Sequence, residues 1–250
     1  MAESAQPFRP VKSADRALAV LEALADRPRS FSELQAGLGL PKSSLHAILR
    51  TLQDRHWVDH AASGRFRLGW RAVRVAGAYL DGDDAVVRTA DLLDHLAAAT
   101  REAVQLARLD GSEVVYLSKR DSPHPVRLIS TVGSRLPAYA TALGKALLAR
   151  RPDDEVRASL QFPLQPLTPR TITQWEPLRA ELDAIRQRGY AIDDEEATDG
   201  LRCFAVTPRT TRTPDNAISI SVPTFRLSAE RERELVTALI EARDAWAGGR

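Results

Sequence analysis

The stretch LPKSSLHAILRTLQDRHWVDHAASGRFRLG, residues 40–69, constrains the fold more than any other part of the chain. Leu45, Ile48, Leu49 and Leu52 recur at i, i+3, i+4 and i+7, the comb of one buried helix face. Pro41 suits the first helical position. The opposite face carries Lys42, Ser43, Ser44, His46, Ala47, Arg50 and Thr51, short near the helix start and so able to approach another surface closely. WVDHAASGRFRLG then reads as two short strands around AASG, with Val58, Phe66 and Leu68 inward and Arg65 and Arg67 outward. Upstream, SADRALAVLEALADRP places Leu18, Leu21, Leu24 and Ala25 on one helical face, between a Ser13 cap and Pro28. SFSELQAGLGL adds a two-turn helix capped by Ser32 and stopped by Gly37 and Gly39. A short helix, a tight turn, a helix with a polar outward face and a basic hairpin make a winged helix-turn-helix. In that design the second helix enters the major groove, while the wing arginines meet phosphates or the minor groove.

Charge agrees with that reading. Up to Leu80 the chain carries 12 Lys plus Arg against 7 Asp plus Glu, a net of +5, while the remainder is net −3. An excess of cation on a small module suits a polyanion such as double-stranded DNA. The chain has no run of eighteen apolar residues, and MAESAQPFRPVKSADR lacks the apolar core of a secretory signal, so a cytoplasmic protein with no membrane partner is expected. The single cysteine, Cys203, excludes an intramolecular disulfide and cannot by itself make a Cys-rich zinc cage.

After the wing, WRAVRVAGAYLDG reads as a connector helix, and Gly82 followed by two aspartates marks a boundary. The expected division is a DNA-binding domain at 12–70, a linker helix at 71–83 and a second domain at 84–248. That domain opens with the amphipathic helix DAVVRTADLLDHLAAATREA and continues through strands VQLARL, EVVYLSKR and VRLIST. Then come the loop VGSRLPAYA, the small-residue helix TALGKALLARR, the proline-rich FPLQPLTPRTIT and the helix QWEPLRAELDAIRQRG. Strands YAID, LRCFAVTP and AISISVP precede a closing helix, SAERERELVTALIEARDAW. Strands and helices intermingle with antiparallel-type connections, which predicts an α+β domain.

In combination, RALAVLEAL, LPKSSLHAILRTL, GRFRLG, GSRLPAYATALGKALLA, GYAIDDEEATDGLRCFAV and AISISVP resemble the isocitrate lyase regulator (IclR) family of bacterial transcription factors over roughly residues 12–248. The resemblance implies a winged helix-turn-helix tethered to a GAF-like α/β effector-binding domain, and homodimers that pair into homotetramers. It also implies control of a catabolic operon by a small metabolite, with a repressor favoured over an activator, and no metal or prosthetic group.

The same resemblance places an effector pocket at Ala142, Leu143, Asp193, Cys203, Ser219 and Ser221. Ser219 and Ser221, two apart on a strand, project to one face, whereas Ile218, Ile220 and Val222 point to the other. Cys203 has Leu201 and Ala205 in phase on a neighbouring strand, so small side chains leave room for a ligand and hydroxyls supply donors. A helix starting near Thr141 would present the N–H groups of Ala142, Leu143 and Gly144 to an anion such as the carboxylate of an organic acid. Asp193 is an acceptor suited to a ligand hydroxyl. Leu143 is larger than the small residue of some members, which bears on ligand size.

An alternative reading makes the chain a small-molecule hydrolase or transferase using Cys203 or the acidic cluster from Asp193 to Glu196, with the DNA-binding head as an accessory. The five histidines, at 46, 56, 60, 95 and 124, give Cys203 no evident partner base, and DDEE reads more simply as a charged turn with only Asp193 in strand phase. LGKA is not a phosphate loop, because Tyr139 and Ala146 stand where Gly and Ser or Thr would be needed.

Overall fold

The computed structural model describes residues 10–125, 131–208 and 216–248, and it divides into two compact units, residues 1–82 and 83–250. The first unit contains helices α1 (Lys12–Asp26), α2 (Phe31–Leu38) and α3 (Lys42–Asp54), the hairpin of β1 (Val58–His60) and β2 (Phe66–Leu68), and helix α4 (Arg71–Asp81). The three helices and the hairpin close on one apolar cluster of Val20, Leu24, Leu34, Leu45, Leu49, Leu52, Val58 and Phe66. Leu45 and Leu49 are almost fully enclosed, and burial of a leucine of this kind contributes about 1.5–3 kcal/mol.

Several local expectations for this unit need correction. Helix α1 begins at Lys12 behind Val11, so Ser13 lies inside its first turn and caps nothing. Its buried stripe runs through Val20 and Leu24, while Leu18 and Ala25 are exposed. The cap of α2 is Ser30 rather than Ser32: the Glu33 N–H donates to Ser30 Oγ at 3.2 Å, and the Ser30 N–H donates to Glu33 Oε2 at 2.7 Å. That reciprocal pair is a capping box, invisible to a search that starts at the first apolar residue. Pro41 precedes α3 as its cap position, one residue earlier than expected. Gly39 ends α2 at φ 62°, a left-handed conformation that a side chain would strain, and this produces the tight turn into α3.

The second unit is built on a six-stranded antiparallel sheet of β3 (Ala103–Asp110), β4 (Glu113–Arg120), β5 (Arg135–Pro137), β6 (Ala191–Asp194), β7 (Leu201–Val206) and β8 (Asn216–Pro223), in the order β5-β4-β3-β8-β7-β6. One face carries Val104, Leu106, Phe204, Ile218, Ile220 and Val222 and packs on α5 (Asp84–Thr100) and α9 (Ala229–Gly248). The other face packs on α6 (Ala142–Leu148) and α8 (Trp175–Arg188), with α7 (Asp153–Ser159) at its margin. Asp83 ties the start of α5 to the sheet: its carboxylate accepts the N–H groups of Ala85 and Val86 and pairs with Arg108 at 2.7 Å. Strand β5 lies in what reads from sequence as a loop, and α7 follows Pro152 with three acidic residues in its first turn, a start signal missed in the sequence. Most of VRLIST, at 126–130, lies outside the described residues.

Candidate functional site

In the first unit, α3 turns Leu45, Leu49 and Leu52 inward, and Lys42, Ser43, His46, Ala47, Arg50 and Thr51 are exposed on its other side, with Ser44 half-buried beside them. The His46 ring leans on Phe31 with centroids 5.9 Å apart, so its direction is set by α2. In the hairpin, Val58 pairs with Leu68, Asp59 with Arg67 and His60 with Phe66, and Gly64 closes the turn at φ 75°. Phe66 also exchanges backbone hydrogen bonds with Arg29 at 2.7 and 2.9 Å, which stitches the wing to the segment between α1 and α2.

The two wing arginines differ in their surroundings. Arg67 is 60% exposed and stands 3.7 Å from Asp59 across the hairpin, a loose surface pair. Arg65 donates to Glu33 Oε2 at 3.0 Å and to the Pro28 carbonyl at 3.0 Å, so it braces the wing against α2. Glu33 thus closes the α2 cap and pairs with both Arg27 and Arg65; the Ser30 N–H and these guanidinium groups hold its carboxyl down to about 2. Sequence reading missed Glu33 and Asp59. The S-x-x-E spacing from Ser30 was the signal for the first.

In the second unit the β8–β7–β6 register sets Ser221, Cys203 and Asp193 side by side in one row, with Ser219 opposite Ala205 in the next. The Cys203 thiol donates to Ser221 Oγ at 3.1 Å. Ser219 and Ser221 in turn donate to Gln105 Oε1, at 2.8 and 3.1 Å. Gln105 belongs to β3 and faces this row because β3 pairs with β8 through Gln105 and Ser219. A register shift between Leu106 and Ala107 sets Tyr116 on the same face.

Above the sheet, Thr141 caps α6 and takes the Gly144 N–H at 3.0 Å, so of the three donors expected at this helix start that one is already engaged. Ala142 and Leu143 are buried within the same apolar cluster as Cys203 and Tyr116. Gly144 is obligatory for the close approach: a Cβ there would lie 2.2 Å from the Ala138 carbonyl oxygen.

Charge chemistry on this face is concentrated in Asp193, Glu196 and Lys145. Lys145 is fully buried, hydrogen-bonded to Glu196 and 3.7 Å from Glu181. Glu196 is therefore a core ion-pair partner and not part of a solvated charged turn, contrary to the reading of DDEE; its backbone oxygen also accepts from Thr171 Oγ1 at 2.7 Å. Asp193 Oδ1 accepts the N–H groups of Glu196 and Ala197 at 2.7 and 3.2 Å. Burial nonetheless outweighs these donors and pushes the Asp193 carboxyl up to about 7. Burial and the Asp193 charge push the Cys203 thiol far up, which makes it a poor nucleophile. Lys145, Gln105 and Tyr116 were missed from sequence, because a polar side chain within an apolar run carries no periodic sign that it is buried.

Among the described residues no group of three or more His, Cys, Asp or Glu could hold a metal ion, and no helix is long and apolar enough to cross a membrane.

Comparison with known proteins connects these two sites. Residues 13–61 match the family model of the IclR helix-turn-helix domain, and residues 77–246 match that of the bacterial transcriptional regulator IclR C-terminal domain. The HTH-type transcriptional regulator KdgR of Escherichia coli K12 is 36% identical over 235 residues, covering 92% of this chain and 89% of the relative. The transcriptional repressor IclR of the same strain is 32% identical over 239 residues, with 93% and 87% covered. The crystal structure of an IclR homolog complexed with 4-hydroxybenzoate, from Microbacterium hydrocarbonoxydans, superposes with a TM-score of 0.77 at 25% identity, covering 94% of this chain and 98% of that one. These matched models and relatives are regulators and not enzymes. With a helix-turn-helix domain that binds DNA and a C-terminal domain that binds a small-molecule effector, the chain belongs to the IclR family of bacterial transcriptional regulators.

Proposed function

We propose that this regulator is a homodimeric repressor of a catabolic operon, acting in the cytoplasm and released or retained on its operator by a small organic acid or related metabolite. The observation that carries the DNA-reading part is the two-sided α3: Leu45, Leu49 and Leu52 enclosed, with Lys42, Ser43, Ser44, His46 and Arg50 turned to the other side. Lys42, Arg50 and Arg67 supply phosphate contacts, and Ser43, Ser44 and His46 lie where base edges would be met. Arg65 serves the same surface by bracing the wing.

Self-association is supported by α4, which buries no residue and exposes Val73 at 73% and Tyr79 at 53%, next to Trp70 at 57%. Apolar surface of this kind on a helix is suited to pairing with a second copy, and pairs of dimers would give the tetramer. The effector reading draws support from the row of Asp193, Cys203, Ser221 and Ser219 under Ala142 and Leu143, and from the aromatic acid held by the Microbacterium relative. Control then follows from a population shift. An effector that binds one arrangement of the dimer better than the other changes the spacing of the two reading helices, and operator half-sites tolerate little change in spacing.

The test is a gel shift of the purified protein on the DNA upstream of its own gene, against a scrambled duplex of equal length. Preferential retardation of the upstream DNA is expected. Equal retardation of both duplexes, or of neither, contradicts the reading.

A further inference from the structure

The geometry points to Gln105 as the residue that reads the effector, its amide nitrogen taking a carbonyl or carboxylate oxygen while Asp193 takes a hydroxyl, so that the ligand class is a compact hydroxylated carbonyl compound. This rests on the effector-site reading above and narrows it. Gln105 is 1% exposed, in the middle of β3, on the face that holds Ser219, Ser221 and Cys203. Its Oε1 is occupied by both serine hydroxyls. Its Nε2 is buried and has no hydrogen-bond partner among the described residues.

Both serine hydroxyls donate to Gln105 Oε1, and Ser221 Oγ also takes the Cys203 thiol, so the amide stands with its oxygen on the serines and its nitrogen turned away from them. Two amide hydrogens are therefore left on the ligand side of a closed face, where an unmet donor is costly. A glutamine kept only to brace the serines would be explained by its oxygen alone. The nitrogen calls for an acceptor, and a carbonyl or carboxylate oxygen meets it without bringing a further proton that would need its own acceptor in the buried face, as a hydroxyl would.

At the other end of the row, Asp193 Oδ1 takes the Glu196 and Ala197 N–H groups, and a ligand hydroxyl would meet the remaining oxygen in competition with the neighbouring Cys203 thiol. Asp193 sits beside Cys203, Cys203 beside Ser221, and Ser221 on Gln105, so the two ligand-reading groups lie at the ends of one short contiguous chain. Lys145 cannot neutralise an acid there, because it is paired with Glu196. An acid would be met by the amide, and the raised Asp193 carboxyl limits the repulsion. Ala103, Ala107, Ala205 and Ala217 flank the row with the smallest side chains, which limits the ligand to a compact molecule.

The experiment uses the full-length protein with four probes at equal concentration, read by calorimetry and thermal shift: glycerate, dihydroxyacetone, acetate and ethylene glycol. The first two carry both a carbonyl or carboxylate oxygen and a hydroxyl; acetate lacks the hydroxyl and ethylene glycol lacks the acceptor-only oxygen. Glycerate or dihydroxyacetone is expected to bind at least tenfold tighter than acetate and ethylene glycol, and which of the two wins says whether the acceptor is an acid or a neutral carbonyl. Gln105→Leu, and Gln105→Asn as the milder variant should the first not fold, are expected to lose that preference while retaining the circular dichroism spectrum of the parent. Acetate or ethylene glycol binding as tightly as the hydroxylated probes, undiminished binding by the folded variants, or no response to any probe would overturn the inference. Gel shifts on the same preparations keep the two questions apart. Protein that selects its upstream DNA but ignores all four probes overturns the ligand class and leaves the regulator reading standing.

Discussion

At the residue scale, the buried charges beneath α6 govern how the second unit responds to mutation and pH. Asp193 holds its proton up to about 7 in the fold, against 3.8 for an ordinary aspartate. Between those values the native state binds more protons than the unfolded chain, so this group's contribution makes stability fall as pH rises from about 4 to about 7, and level off above. Glu196, also raised by burial, acts in the same direction. Asp193→Asn should flatten that part of the curve, seen as a smaller loss of denaturation midpoint between pH 5 and pH 7 than in the parent; an unchanged slope would place the titration elsewhere. Among the described residues Lys145 is the cation hydrogen-bonded to Glu196, and Lys145→Met leaves that buried carboxyl without it. The expected cost is about 3 kcal/mol in chemical denaturation. Adding Glu196→Gln should recover part of it, whereas a Lys145→Met protein as stable as the parent would show the pair to be dispensable.

At the element scale, Ser30, Glu33 and Arg65 connect α2 to the wing, and the cap is the part most easily weighed. Ser30→Ala removes the acceptor of the Glu33 N–H and should cost about 1 kcal/mol in thermal or urea unfolding. Glu33→Gln removes the anion shared by Arg27 and Arg65, and should weaken DNA binding with little loss of helix content; unchanged affinity would mean the wing needs no brace. These elements also show what a sequence discloses. The α3 comb at Leu45, Leu49 and Leu52 was plain because a single strong period fits a single buried face. The antiparallel pairing of neighbouring strands and the shared face of Ser219 and Ser221 followed from the short connections and from strand alternation, whereas the order of the six strands did not. Leu18 misled because α1 is short of neighbours on that side, and apolar spacing alone cannot say which of two adjacent stripes a partner covers. Strand β5, three residues long and held at the sheet edge by Glu113, Val114 and Val115, exists only through pairing with β4 and has no local signature. Gln105 and Lys145 were hidden for the same reason: their roles depend on Ser221, Glu196 and Glu181, which lie tens of residues away in the chain.

At the scale of the whole molecule, one chain joins a DNA-reading unit to an effector-binding unit, and any response to the effector depends on the first unit meeting DNA. The basic first part, net +5 up to Leu80, should make association strongly salt-dependent, because each phosphate neutralised releases condensed counterions. The most direct measurement is therefore the affinity for the upstream DNA by fluorescence anisotropy over a series of salt concentrations, for the parent and for Arg50→Ala and Arg67→Ala. A steep negative slope of log affinity against log salt is predicted for the parent, reduced by about one for each substitution, with both variants weakened on every sequence alike. A slope near zero, or a parent slope that both substitutions leave untouched, would contradict the assignment of α3 and the wing as the surface that meets DNA.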